Sequence, residues 1–277
     1  MDARITPQLV AIVPTRGRPA SVRTMVAAFR ATCRAETLLV IAVDQDDESL
    51  EENVRAAFSI EPSQDDYEPI TLQEDAEAGL TVLSRGVDEP VVVVGDNHSL
   101  VEALNLSALF AAWTFEPAAV GFLGDDSVPR TEGWDSQVLK ALDDLGTGMV
   151  YANDLLQGEA LPTTVFMTTD LLKALGYFSP PSFSHLYIDN VWLAWGRRSE
   201  RITYLPGTVI EHMHPLAGKA EWTEGHARVN TEASYQRGER EFRAYVATQL
   251  DLDVAKILGA TILRGAAQQV VGEPVSV

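Results

Sequence analysis

Val120-Gly121-Phe122-Leu123-Gly124-Asp125-Asp126-Ser127 is an apolar run of strand length that ends abruptly in two adjacent carboxylates. A strand that delivers paired acids to its C-terminal tip places hard oxygen ligands at a sheet edge, where they can hold a divalent cation against a phosphate. The plainer reading of an Asp pair is a solvated turn. The rest of the chain weighs against it, because three further groups of polar residues punctuate similar apolar runs.

Upstream, Leu9 to Val13 is a continuous apolar run closed by Pro14, and Val22, Met25, Val26 and Phe29 then fall on one helical face. Thr37 to Val43 reads as a second buried strand, followed by the acidic loop Asp44-Gln45-Asp46-Asp47 and a short helix over Leu50, Val54 and Phe58. The polar stretch 61–77 reads as loop, with one short strand at Ile70-Thr71-Leu72. Val91 to Val94 is a third strand ending at Gly95-Asp96-Asn97, and Leu100, Leu104, Ala108 and Ala111 form an amphipathic helix before the acid-tipped strand. Strands alternating with helices predict an α/β fold, a Rossmann-type mainly parallel sheet flanked by helices. Ligands of such sheets bind beyond the C-terminal strand ends, where these loops all fall.

The second half is less regular. Helices are expected around Trp134 to Leu145, Asp170 to Leu175 (stopped by Gly176) and Glu239 to Leu250. Short strands are expected at Met149 to Tyr151, Val165 to Met167, Ile202 to Leu205 and Val209 to Met213, and the tail from Gly272 is expected to fray. Trp134 and Trp192 sit at helical core positions, whereas Trp195 and Trp222 join them as aromatics able to stack on a sugar face.

The chain of 277 residues, 46% hydrophobic, has ample interior for a packed core. Its net charge of −19 argues against non-specific nucleic-acid binding, which rests on cations displacing counterions. A local basic groove around Arg197, Arg198 and Arg201 keeps a nucleic-acid partner open. The single cysteine, Cys33, excludes an intrachain disulfide and a thiolate metal cluster, and it is expected within the first helix. Met1 to Ile5 lacks a signal-peptide core, and no apolar run approaches the ~20 residues that span a bilayer, so a cytoplasmic protein without a membrane partner is expected.

Several residue groups carry chemistry. Arg16 and Arg18 flank Gly17 on a tight loop after the first strand, suited to a diphosphate or equally to an exposed basic turn. The loop is neither a Walker loop nor a dinucleotide fingerprint. Asp44 at a strand end can accept hydrogen bonds from a base or ribose. Asn97 and Asn105 lie after the third strand and along the next helix, able to line the same cleft. His212 and His214, two apart at a strand end, point to one face, and His212 is a candidate third metal ligand beside Asp125 and Asp126. Such an Asp/His set favours Mn²⁺ or Mg²⁺ over structural zinc. Asp189, after the Pro180 to His185 loop, can serve as a general base or as a helix N-cap.

In this order the motifs resemble a glycosyltransferase of the GT-A fold, of the broad family-2-like kind, and look closest to the small glycosyltransferases encoded by actinobacteriophages. The resemblance runs from about Val10 to about His214. It rests on Val13 to Pro19 as the opening strand and nucleotide-contacting loop, Asp44 as the base-contacting acid, and Asn97 to Asn105 as the helix entry before the metal strand. Leu123-Gly124-Asp125-Asp126 falls at the Asp-x-Asp position, Leu175 to Phe178 with Asp189-Asn190 at the approach to the family's carboxylate, and Glu211-His212 at the late metal histidine. The chain departs from the pattern where Gly124 replaces the first Asp of the motif in one register, where Ser127 replaces the last acid in the other, and where Ile188-Asp189-Asn190 stands in place of the family's frequent Glu-Asp.

The resemblance implies a transferase domain over 1–215 (nucleotide-binding half about 1–126, acceptor half about 127–215) with a C-terminal helical extension over 216–277 packed on it. It implies metal-dependent transfer of a sugar, with inversion, from a nucleotide-diphosphate sugar to a hydroxyl of a protein or glycan, a phage virion protein being one such acceptor in a host cytoplasm. Asp126, Asp125 and His212 would hold Mn²⁺ or Mg²⁺, and Asp189 would take the acceptor proton. Pro14, Thr15, Arg16, Arg18, Asp44, Asn97, Asn105, Asp125 and Lys219 would bind the donor. A DNA-base glycosyltransferase and a non-catalytic carbohydrate- or virion-binding scaffold are the alternatives. A sugar-nucleotide pyrophosphorylase fits less well, because Pro14 to Pro19 carries a single glycine.

Overall fold

The computed structural model describes residues 6–61, 70–75, 79–86, 89–215, 218–219 and 230–272. Trp222 lies outside them, as does most of the polar stretch 62–77.

Among the described residues ten strands form one sheet, in the order β3-β4-β5-β2-β1-β6-β9-β8-β10-β7. Its centre is β1 (Leu9–Thr15), paired in parallel with β2 (Thr37–Asp44) and β6 (Ala119–Phe122); β5 (Val91–Gly95) continues the parallel set beyond β2. The flanks hold β3 (Thr71–Asp75), β4 (Leu80–Ser84), β7 (Ser127–Pro129), β8 (Met149–Asn153), β9 (Val165–Thr168) and β10 (Ile202–His212). From the pairings, β3, β5, β2, β1, β6, β8 and β10 run one way and β4, β9 and β7 the other. The sheet is thus mainly parallel in direction, as the alternation of strands and helices predicts.

Every residue of β1 is buried, the signature of a strand covered on both faces. Its side chains alternate: Val10 and Ile12 join the cluster that includes Leu104, Trp192 and Trp195, whereas Leu9, Ala11 and Val13 join the one that includes Met25, Phe29 and Trp134. Gly121 on β6 is required by packing, because a Cβ there would sit 2.0 Å from Phe166 Cδ1 on β9.

The helices are α1 (Pro19–Thr32), α2 (Leu50–Ala57), α3 (Leu100–Thr114), α4 (Trp134–Leu145), α5 (Thr169–Leu175), α6 (Ile188–Ser199), α7 (Glu232–Thr248) and α8 (Leu250–Gly272). Pro19 opens α1, where its fixed φ and missing N–H cost nothing. Ser99 caps α3 by accepting from Glu102 N at 3.2 Å, while Glu102 Oε2 accepts from His98 N at 2.8 Å. Gly176 ends α5 with φ of 83°, as its position after Leu175 predicts. Cys33 is the C-cap of α1 rather than a helical residue, and it is only partly buried.

The C-terminal helical part differs from its expected extent. The chain breaks at Gln249 and runs on as α8 to Gly272, beyond the single helix expected over Glu239 to Leu250. A buried polar hub fixes it. Asp253 on α8 accepts from Tyr177 and Tyr245 hydroxyls, each at 2.7 Å, and Tyr245 in turn accepts from Trp195 Nε1. Trp134, Trp192 and Trp195 are all fully buried, so Trp195 is a core residue and not a sugar platform. No described helix is long and apolar enough to cross a membrane.

Candidate functional site

Because β1, β2, β5, β6, β8 and β10 point the same way, their C-terminal ends gather Thr15 to Arg18, Asp44, Asn97, Asp125, Asp126, Asp154 and His212 along one edge of the sheet. The least obvious member is His212. Past an irregularity between Leu205 and Val209, β10 keeps β8 on one side, with Val209 opposite Asn153, and pairs antiparallel with β7 on the other, which sets His212 opposite Ser127. Backbone hydrogen bonds from His212 N to Asp154 O (3.0 Å) and from Met213 N to Asp126 O (2.8 Å) lock that register. The result is His212 Nε2 at 3.5 Å from Asp126 Oδ1.

The two aspartates have different tasks. Asp125 is buried; its Oδ2 accepts from Thr15 Oγ1 at 2.8 Å and its Oδ1 from Arg18 at 2.7 Å. Burial pushes its carboxyl above the usual range, with Arg18 opposing and Asp126 adding to the rise. Both oxygens are engaged with the β1 loop, and of the three expected ligands it is Asp126 and His212 that face each other. Asp126 faces His212, with Arg18 at 3.8 Å. A Cβ on Gly124 would lie 2.7 Å from Asp126 Oδ1, so the glycine at the first motif position gives Asp126 its room.

Among the described residues no three carboxylate, imidazole or thiolate groups are arranged to hold a metal by themselves. Asp126 and His212 nevertheless fit a cation that draws its remaining ligands from phosphate and water, which is how Mg²⁺ is commonly bound. One carboxylate and one imidazole meet here at a partly buried position. Burial works against a charged His212, yet the carboxylates of Asp126, Asp154 and Asp189 outweigh it and raise the imidazole above its usual value. His214 follows, its ring centroid 5.2 Å from that of His212.

Asp189 lies in the first turn of α6, where Tyr187 and not Asp189 is the N-cap. Its Oδ1 accepts from Asn190 N at 3.0 Å. Burial pushes its carboxyl up to about 6, with the Asn190 amide and the charge of His212 pulling the other way. Tyr187, two residues before, has φ of 71°, a left-handed conformation that a non-glycine residue holds only when its surroundings enforce it. The ring of Phe242 on α7 packs 6.0 Å away, and Gly238 on the same helix leaves the space that Tyr187 occupies.

A second cluster adjoins the first. Arg16 donates to Asp44 at 3.1 Å and through its other nitrogen to Asp46 at 3.1 Å, and Asp46 foremost raises the guanidinium pKa. Burial raises the Asp44 carboxyl, against hydrogen bonds from Asn97 and Arg16. Asn97 thus reaches the site edge. Asp47, in the acidic loop after β2, accepts from Gly17 N at 2.9 Å and Asn53 Nδ2 at 2.9 Å, which ties the β1 and β2 loops together.

Three further groups have partners of their own. Asn105 accepts from Phe178 N and Ser179 N and donates to Ser179 O, so its amide pins the segment after α5 to α3. Lys219 pairs with Glu211 at 2.8 Å, beside Arg130 on the same carboxylate. Of the three arginines that leave a basic groove open, Arg198 pairs with Asp251 and Arg201 donates to Leu145 O. A cavity of about 620 Å³ between α5 and α8, lined by Pro117, Thr169, Ala174, Lys256 and Leu263 among others, shares no residue with the site.

No protein-family model matches this chain, and no curated protein is significantly similar to it. Solved structures are. A mannosyltransferase from Pyrobaculum calidifontis, solved with GDP-Man and Mn²⁺, matches with a TM-score of 0.53 at 14% identity, over 97% of this chain and 76% of that one. TarS residues 1–349 from S. aureus, solved with UDP, matches with a TM-score of 0.50 at 13% identity, over 87% of this chain and 72% of that one. At these identities the likeness is one of fold: the chain has the mixed α/β, GT-A-like architecture that those structures share.

Proposed function

We propose that this protein is a glycosyltransferase that moves a sugar from a nucleoside-diphosphate donor to a hydroxyl acceptor. The observation that carries the reading is the convergence of Asp126 and His212 at the sheet edge, 3.5 Å apart, on a fold shared with transferases solved with GDP-Man and UDP. Asp126 and His212 would hold Mn²⁺ or Mg²⁺, which when bound offsets charge on the departing diphosphate. Thr15 and Arg18, fixed by Asp125, shape the loop that faces the donor phosphates. Asp44 and Asn97 offer an acceptor and an amide to the base or ribose.

Asp189 is the residue suited to take the acceptor proton. A carboxyl raised to about 6 is a better base than an ordinary aspartate and is still ionised at neutral pH. The acceptor oxygen forms a bond to the anomeric carbon, the bond to the diphosphate oxygen breaks, and the acceptor proton passes to Asp189. Attack opposite the leaving group inverts the anomeric centre. The acidity of the chain favours a protein or glycan acceptor over a DNA base. The test is a panel of nucleotide sugars with Mn²⁺, read by release of nucleoside diphosphate; release from one donor, abolished in Asp126→Ala, is expected, and no release from any donor contradicts the assignment.

The ion pairs of Arg16 with Asp44 and Asp46, and of Lys219 with Glu211, favour a second reading. With these cations neutralised by acids of the same chain, the scaffold would bind carbohydrate on a glycan or virion surface without transferring it. Nucleoside-diphosphate affinity that is indifferent to Mn²⁺ would support that reading.

A further inference from the structure

Asp154 directly follows β8 and is almost fully buried. Its Oδ1 accepts from the backbone N–H groups of Leu156 (2.9 Å), Gln157 (2.7 Å) and Gly158 (2.9 Å), and its Oδ2 from the Thr163 hydroxyl (2.8 Å). Four donors hold this carboxylate in place. Its backbone carbonyl accepts from His212 N at 3.0 Å, so strand pairing ties the two residues together. Oδ2 also lies 4.0 Å from His212 Nδ1, and Nδ1 is a buried ring nitrogen without a hydrogen-bond partner. The Nε2 edge of the same ring faces Asp126.

A metal-ligating imidazole generally donates its other ring N–H to a carboxylate or carbonyl, which fixes both tautomer and ring orientation. Three carboxylates act on His212, from Asp126, Asp154 and Asp189. Asp126 is met by Nε2, and Asp154 is the acid on the Nδ1 side. The 4.0 Å separation exceeds a hydrogen bond by about an ångström. Because Asp154 is pinned by its donors, the imidazole is the partner that moves to close it.

We infer that Asp154 is a positioning residue for His212: its carboxylate takes the Nδ1–H, orients the ring, and leaves the Nε2 lone pair turned towards Asp126. This rests on the proposed metal role of the Asp126–His212 pair. The competing explanation is that Asp154 only folds the loop from Asn153 to Thr163.

The experiment measures Mn²⁺ binding by the full chain, from the free-ion paramagnetic resonance signal, in wild type, Asp154→Asn, His212→Ala and the double variant. Asp154→Asn is expected to weaken Mn²⁺ by ~10–100-fold, the usual scale for such partners. The double variant is expected to be no weaker than His212→Ala alone. Unchanged affinity in Asp154→Asn, or losses that multiply in the double variant, would overturn the inference. Proton NMR of the Mg²⁺-loaded wild type decides the matter even where Asp154→Asn does not fold. An Nδ1–H signal shifted downfield and slow to exchange, as one held by a carboxylate is, supports the inference, and an Nδ1–H that exchanges as a free imidazole N–H does overturns it. Failure of the metal reading itself is distinguishable, because His212→Ala would then bind Mn²⁺ as wild type does.

Discussion

Nε2 of His212 stands 3.5 Å from Oδ1 of Asp126, held there by the pairing of His212 with Ser127 across β10 and β7. The two residues are far apart in sequence, and neither strand end alone makes a site. Their meeting depends on the tip of β10 lying between β8 and β7.

Replacing Asp189 with Asn removes the candidate base while keeping its size. Transfer is expected to slow by ~10²–10⁴-fold, with donor affinity unchanged. In wild type the base must be ionised, so kcat rises tenfold per pH unit below about 6 and is level above it. A pH–rate profile checks this limb, which Asp189→Asn should lack.

Arg18 and Asp125 form the buried part of the β1 loop anchor. Arg18→Met leaves Asp125 without its cation, and the expected loss of stability is about 2–3 kcal/mol, below the ~3–5 kcal/mol of a fully buried pair because the Arg18 side chain is 16% exposed. The Asp125 carboxyl, already raised by burial, rises further without Arg18. A raised carboxyl destabilises the fold when charged, so the deficit is full above its folded pKa and shrinks as pH falls and the group takes up a proton. Urea unfolding of both proteins at neutral and mildly acid pH measures the difference.

Gly238→Ala tests the support behind Asp189. Its Cβ would lie 2.6 Å from Tyr187 Cδ2, and the clash displaces a residue already held at positive φ. Overpacking of this kind costs about 1–3 kcal/mol. Transfer is expected to fall through kcat while Mn²⁺ affinity is unchanged, which steady-state kinetics and metal titration together resolve.

Gly124→Ala probes the departure from an Asp-x-Asp pattern. The added methyl meets Asp126 Oδ1 at 2.7 Å and Ser127 Oγ at 3.2 Å. Mn²⁺ affinity is expected to fall ~10-fold, equivalent to about 1.4 kcal/mol, with little change in melting temperature. Unaltered Mn²⁺ binding would show that Asp126 does not need the space that the glycine leaves.

Much of the central sheet is legible in the sequence because its strands are continuous apolar runs bounded by polar loops. Leu9 to Val13 and Val91 to Val94 need no tertiary information to be read. Strands whose identity depends on a partner were not legible: β4 is only half-buried, and β7 is three residues long. Ile202 to His212 reads as two strands because Pro206-Gly207 interrupts the pattern, yet the backbone continues through an irregularity there. Within the site, the acids at the ends of β2 and β6 stand out, and the same rule applied to Met149 to Asn153 points to Asp154. Its Asn153-Asp154 context reads as a turn, which hides it. Charge pairing was not legible at all. Nothing in the sequence tells that Arg16 turns to Asp44 and Asp46, that Asp125 is spent on Thr15 and Arg18, or that the Asn105 amide closes on Phe178 and Ser179.

The most direct test is calorimetric titration of the protein with GDP and with UDP, in the presence and absence of Mn²⁺, for wild type, Asp126→Ala and His212→Ala. Metal-dependent nucleotide binding in wild type, lost in both variants, is the predicted result. Nucleotide binding of equal strength with and without Mn²⁺, or binding in Asp126→Ala that matches wild type, would contradict it.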